Sequence, residues 1–176
     1  MKAIETSLAG VWLLELDPKQ DERGFLVRTY CEKTFASLGL NTRWPQCNLT
    51  LTKKKGMLRG MHFQADPHPE IKLVRCAAGA IYDVVLDVRP DSVTYGKWEG
   101  FELRAGDLKS LYIPGGFAHG FQCLEDDCQV FYQMSEFYHP DLTRGVRWND
   151  PNSQIKWPIA NPFVSQRDSD LPLLTS

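Results

Sequence analysis

The feature that most constrains this chain is its segmentation. Roughly ten short apolar or alternating runs follow one another at about 8–12-residue spacing, divided by Gly, Pro or charged residues. They are Gly10–Leu16, Phe25–Tyr30, Asn48–Thr52, Met57–Gln64, Ile71–Cys76, Ile81–Val88, Trp98–Arg104, Ser110–Ile113, Gly120–Leu124 and Cys128–Ser135. Ile81–Val88 is the clearest strand. Tyr82, Val84, Leu86 and Val88 share one face, and Asp83 and Asp87 the other. Glu32–Leu38 is the best helix candidate, ended by Gly39. Many short strands with few helices indicate an antiparallel sandwich or barrel. No repeat, low-complexity tract or linker divides the sequence, so one domain over residues 1–176 is expected. The tail beyond Pro151 is polar and proline-rich and is expected to wrap the body.

Charge and cysteine usage narrow the function. The formal net charge is −2, without the basic excess of a non-specific nucleic-acid binder. A small anionic ligand remains open, because a few placed Arg and Lys side chains hold a diphosphate. The five cysteines are odd in number and form no C-x-x-C, so free thiols in a reducing cytoplasm are expected. The apolar stretch Leu8–Leu14 is interrupted by Glu15 and Asp17, and reads neither as a signal peptide nor as a span of about 20 apolar residues.

Two segments refine the fold. The first runs Gly56-Met-Leu-Arg59-Gly-Met-His62-Phe-Gln64 and continues to Glu70 and Gly79; the second is Gly106-Asp107 followed by Pro114-Gly-Gly116-Phe-Ala-His119-Gly. They resemble the paired motifs of the cupin superfamily. That resemblance implies an all-β, double-stranded β-helix jelly roll with short peripheral helices. Metal cupins place H-x-H and a later Glu in the first motif and one His in the second. Here the second His of H-x-H is Gln64, a poor substitute for imidazole, and His68 stands between two prolines as a loop residue. No metal is expected. For His119, a packed, hydrogen-bonded histidine is as good a reading as a functional one.

A narrower resemblance covers nearly the whole chain. Asp21-x-Arg23-Gly-Phe25, Arg59-Gly-Met-His62-Phe-Gln64, Lys72-Leu-Val, Asp83-Val-x-x-Asp87-Val-Arg89, Ile113-Pro-x-Gly-Phe-Ala-His119-Gly-Phe121, Tyr132-x5-Tyr138, Trp148-Asn-Asp-Pro151 and Ser165-Gln-Arg167-Asp168 occur in order. Together they resemble the dTDP-4-dehydrorhamnose 3,5-epimerase family. The resemblance implies a homodimer without cofactor. Its substrate would be a nucleotide-linked 4-keto-6-deoxy sugar, as in dTDP-L-rhamnose or related deoxysugar biosynthesis. Carried over by position, His62 matches the base, Asp168 the carboxylate that orients it, Lys72 the cation at the ketone oxygen, and Tyr132 the acid on the opposite face. Arg23, Gln46, Asn48, Arg59, His119, Tyr138 and Arg167 match substrate-binding positions.

The chemistry calls for these residue types. A C–H beside a ketone is acidic because its carbanion delocalises into an enolate. Imidazole, with a reference pKa of about 6.5, suits the base near neutral pH. A carboxylate on its far nitrogen sets the tautomer. The growing oxygen charge needs a fixed donor such as an ammonium, and inversion needs an acid across the ring. Taken singly, Lys72 reads as a surface cation whose stem covers apolar area and Tyr132 as strand packing. Asp168, beside Asp170 in a polar tail, rests on the family register.

Apart from the conservative Arg167, where the family usually has Lys, two positions depart from the family pattern. Arg28 and Thr143 stand where the family usually carries Glu. They bear on nucleotide, sugar and the carbon inverted, so a mono-epimerase acting at C3 or C5 of a CDP- or GDP-linked 4-keto sugar is the alternative. A metal-dependent cupin or a sugar-binding module is the second.

Overall fold

The computed structural model describes residues 1–175. Its strands, in chain order, are β1 (Lys2–Glu5), β2 (Trp12–Glu15), β3 (Pro18–Asp21), β4 (Gly24–Val27), β5 (Gln46–Thr52), β6 (Met57–Gln64), β7 (Lys72–Ala78), β8 (Ala80–Asp87), β9 (Trp98–Arg104), β10 (Lys109–Ile113), β11 (Phe117–Cys123), β12 (Cys128–Met134), β13 (Thr143–Gly145) and β14 (Phe163–Val164). Helices α1 (Glu32–Ser37) and α2 (Gln166–Ser169) are short. One sheet runs β1-β2-β10-β7-β12-β5; the other runs β13-β6-β11-β8-β9, with β14 pairing β6 in parallel. The remaining pairs are antiparallel, with β3 and β4 forming a separate hairpin. The segmentation points to an antiparallel sandwich or barrel, and the arrangement is the jelly roll that the cupin resemblance implies.

Strand side chains alternate between faces, and that period of two builds three apolar layers. Between the sheets lie Val74, Cys76, Leu111, Ile113 and Val130 from one and Ile81, Val85, Phe117, Phe121 and Cys123 from the other. The outer face of β8 and β11, with Val84, Leu86 and Ala118, is covered by Val146, Ile155, Trp157 and Leu174. The tail therefore wraps the body, as its composition suggested. The even-numbered apolar face of Ile81–Val88 meets this tail, while Ile81 and Val85 on the Asp83 face fill the barrel. Both faces are buried, which is why Val85 blurs the alternation. The third layer seats Phe35 of α1 on Leu14, Leu73 and Tyr112.

Two of the sequence motifs are structural clamps. Asp87 accepts hydrogen bonds from Arg89, Ser92 and Thr94 and closes the turn after β8. Burial alone would raise its pKa; those donors override it and hold the carboxyl at about 2. Asp150 is buried and accepts from the amides of Asn152, Ser153 and Leu174, which pins the tail.

The segments missed in the sequence are the shortest ones: β13 and β14 pair with β6 from far along the chain, while β1 and β3 pair with the neighbouring β2 and β4. β1, β3, β13 and β14 are two to four residues long and carry no alternation of their own. The run Phe25–Tyr30 ends as a strand at Val27, in the exposed hairpin.

β6 and β11 approach closely because Gly60 and Gly120 face one another. Gly60 has φ +135°, and a Cβ there would lie 2.5 Å from Gly120 Cα and 3.1 Å from the His119 carbonyl oxygen. The close approach sets His62 opposite His119. Gly60→Ala is expected to destabilise the fold by about 2–4 kcal/mol, through backbone overlap and a φ that L-residues resist. The check is the urea midpoint; an unchanged midpoint would mean the two strands can part at no cost.

Candidate active site

The interior-facing series of residues changes character along the barrel. On β7, Cys76 and Val74 are core and the next inward position is Lys72; on β12, Val130 is core and Tyr132 and Met134 follow. On β5 the inward positions are Gln46, Asn48 and Thr50, and on β6 they are His62 and Gln64. The strands thus present apolar residues at one end and polar ones at the other. The polar end opens as a cavity of about 640 Å³. Ten of the eleven site residues expected from the sequence line it: His62, Lys72, Tyr132, Asp168, Gln46, Asn48, Arg59, His119, Tyr138 and Arg167.

Arg23 is the exception. It lies at the β3–β4 turn, 84 % exposed, with its guanidinium on Asp21. The hairpin projects from the barrel, so the cavity of this chain does not include it. Of the two departures from the family pattern, Thr143 lines the cavity. Arg28 lines a separate hollow of about 410 Å³ with Met1, Lys19 and Cys31.

His62 and Asp168 form a dyad although 106 residues separate them. His62 Nε2 lies 2.7 Å from Asp168 Oδ1. The other carboxylate oxygen accepts from the Gly60 amide at 3.2 Å, and Ser165 Oγ caps α2 by accepting from the Asp168 amide at 3.2 Å. Asp168 is buried; burial pushes its pKa up, but the His62 hydrogen bond and charge, the Gly60 amide and Arg167 together hold it below the ordinary carboxylate value. Its ionised form therefore favours the folded state above the ordinary carboxylate range, and that contribution is lost as pH falls through the lowered value. With Nε2 on Asp168, Nδ1 is the nitrogen left for proton transfer.

Lys72 is buried rather than a surface cation. Its ammonium pairs with Glu70 at 2.9 Å and donates to the His62 carbonyl oxygen at 3.1 Å. Two of its three donors are placed by these contacts, leaving one for a ligand oxygen. His119 is also nearly buried, and its Nε2 lies 2.9 Å from both oxygens of Asp83. Arg59 is held by Thr52 Oγ1 at 2.9 Å. Glu70 and Asp83 were not assigned roles from the sequence; Asp83 could have been found as a strand carboxylate on an interior face, which demands a partner.

Gln64 explains why position 64 does not complete a metal cupin set. It is buried; its amide nitrogen donates to the carbonyl oxygens of His68 and Phe137, and its oxygen accepts from the His139 amide. The carboxamide ties loops together, while the Nε2 atoms of His62 and His119 face carboxylates.

The fold and cavity define a jelly-roll enzyme equipped for proton transfer on an anionic, polar ligand. Residues 5–176 match the family model described as dTDP-4-dehydrorhamnose 3,5-epimerase. A protein of that name from Methanothermobacter thermautotrophicus is 43% identical over 168 residues, covering 94% of this chain and 90% of the relative. The crystal structure of a Bacillus anthracis dTDP-4-dehydrorhamnose 3,5-epimerase with TDP and PPi bound superimposes with TM-score 0.96, at 40% identity over 98% of this chain and 99% of the other. ChmJ, a 3'-monoepimerase from Streptomyces bikiniensis in complex with dTDP-quinovose, gives TM-score 0.89, at 32% identity over 96% and 86%. The chain belongs to the dTDP-4-dehydrorhamnose 3,5-epimerase family and is an enzyme of the isomerase class.

Proposed function

We propose that this enzyme inverts C3 and C5 of a dTDP-linked 4-keto-6-deoxyhexose. The observation that carries the reading is that base and acid stand on opposite sheets. His62 comes from β6, and Lys72 and Tyr132 from β7 and β12, with the cavity between them. A sugar ring there has imidazole on one face and a phenol on the other.

His62 Nδ1 removes the proton α to the C4 ketone, and the C–H electron pair moves into the enolate. The oxygen charge is met by the Lys72 ammonium, in a buried setting where such a donor counts for more than in water. Tyr132 delivers a proton to the opposite face and regains one from solvent; His62 releases its proton to solvent. The oxidation state of the sugar is unchanged, so the step balances with protons alone. C3 and C5 flank the same ketone, so one base serves both. Arg59 and Arg167 supply charge-assisted donors for the diphosphate, and Tyr138 offers a ring for the base to stack on.

Homodimerisation is supported by the exposed Leu49 and Leu51 on the outer face of edge strand β5. A cytoplasmic setting is supported by five free cysteines. Among the described residues no helix is long and apolar enough to cross a membrane.

The test is incubation with a panel of dTDP-, CDP- and GDP-linked 4-keto-6-deoxy sugars in D₂O, following the C3 and C5 protons by NMR. Exchange at both carbons of the dTDP sugar is expected. Exchange at one carbon would make the enzyme a mono-epimerase, a reading that Thr143 at the cavity wall keeps in play. No exchange with any sugar would overturn the proposal.

A further inference from the structure

Beside the cavity, three side chains that proton transfer does not use meet across two loops. One ligand atom each from His68, Glu136 and His139 lies within 4.8 Å of the other two. His68 Nδ1 is 3.5 Å from Glu136 Oε2, and the two imidazoles stack at 4.2 Å with their planes 9° apart. None of the three lines the cavity itself.

One buried side-chain amide ties together the backbone under this cluster. Gln64 Nε2 donates to the His68 carbonyl oxygen at 2.7 Å and to that of Phe137 at 3.0 Å, and Gln64 Oε1 accepts from the His139 amide at 2.8 Å. Glu136 Oε1 accepts from the Phe137 amide at 2.8 Å, which turns Oε2 toward His68. Anchoring of this kind around the ligating atoms is what fixed metal sites use to orient their donors.

We propose that His68, Glu136 and His139 form a site for one divalent transition ion of the zinc type per chain, with water completing the coordination. Two imidazole nitrogens and one carboxylate oxygen suit a borderline ion, whereas Ca²⁺ and Mg²⁺ favour oxygen ligands throughout. Bonds of about 2.0–2.1 Å put neighbouring donors of a tetrahedral ion about 3.4 Å apart. The His68–Glu136 pair already has that spacing. Ligation by both histidines requires the stacked imidazoles to turn out of their parallel planes so that their nitrogens converge on the ion, a movement open to side chains that are only partly buried. His68 and Glu136 side chains are 43% and 27% exposed, which leaves an open side for water.

The ion would cross-link the 65–69 loop to residues 136–139. That second segment carries Tyr138, which lines the cavity and whose amide donates to Gln46 Oε1 at 3.1 Å. The site would therefore stiffen one wall of the ligand cavity from outside it. The proposal goes beyond the epimerase reading, and its test needs no substrate.

The experiment is calorimetric titration of metal-stripped full-length protein with Zn²⁺, backed by the d–d absorption of Co²⁺. One equivalent is expected to bind. His68→Asn and His139→Asn, made separately, should each weaken binding at least about tenfold. His62→Asn should bind as the parent does. Circular dichroism of each variant shows that it is folded; the two separate replacements keep the result readable if one is not. Absence of saturable binding, binding indifferent to both loop replacements, or binding lost in His62→Asn would each overturn the site.

Discussion

His62→Asn is expected to abolish exchange at C3 and C5, lowering turnover by about 10³-fold, in the middle of the range for a lost acid–base group. The replacement removes the basic nitrogen and keeps a polar side chain. The Asn amide ends at the level of the lost Nδ1, so Asp168 loses its Nε2 partner and keeps the Gly60 amide. Stability read from the urea midpoint should fall by about 1–3 kcal/mol while the protein stays folded. NMR in D₂O reads the chemistry and the denaturation curve reads the fold. Exchange at a rate close to that of the parent would show that another group takes the proton. Asp168→Asn should also reduce exchange while leaving nucleotide binding intact. An amide can donate to Nε2 and stabilise the opposite tautomer, leaving Nδ1 protonated and useless as a base.

Tyr132→Phe is expected to separate the two halves of the reaction. His62 and Lys72 remain, so deuterium should still wash into the sugar from the His62 face. Inverted product should fall by about 10²–10⁴-fold, because the opposite face has lost its acid. The ring of Tyr132 packs against the interior cluster, and Phe preserves that packing. Stability should therefore change little. Product formed at the parental rate would remove the phenol from the mechanism. Loss of exchange together with inversion would mean that Tyr132 is needed for deprotonation itself.

The fold was largely readable because strands announce themselves locally. Met57–Gln64 and Trp98–Arg104 were bounded to the residue, and Glu32–Leu38 exceeded α1 by one. The short β1, β3, β13 and β14 were not, since two to four residues without a partner have no preferred conformation to signal. In the sequence Glu70 is no more than one member of a motif. Its role appears when the 2.9 Å ion pair with Lys72 is seen. Asp83 was placed on a strand face, but only the barrel shows that His119 shares that interior.

What the sequence determined by itself was the period of two, its breaks, and the order of the motif residues; these are properties of neighbours along the chain. Only the tertiary structure decided that β6 faces β7 and β12 across one cavity. It also decided that Asp168 comes back 106 residues to His62 and that Arg23 stays outside. Gln64, too, came to clip loops where a metal cupin would place a ligand. These outcomes depend on which faces the two sheets bury against one another and where the tail is pinned. Such pairings are set by packing and hydrogen bonding between residues far apart in the chain, so no local pattern records them.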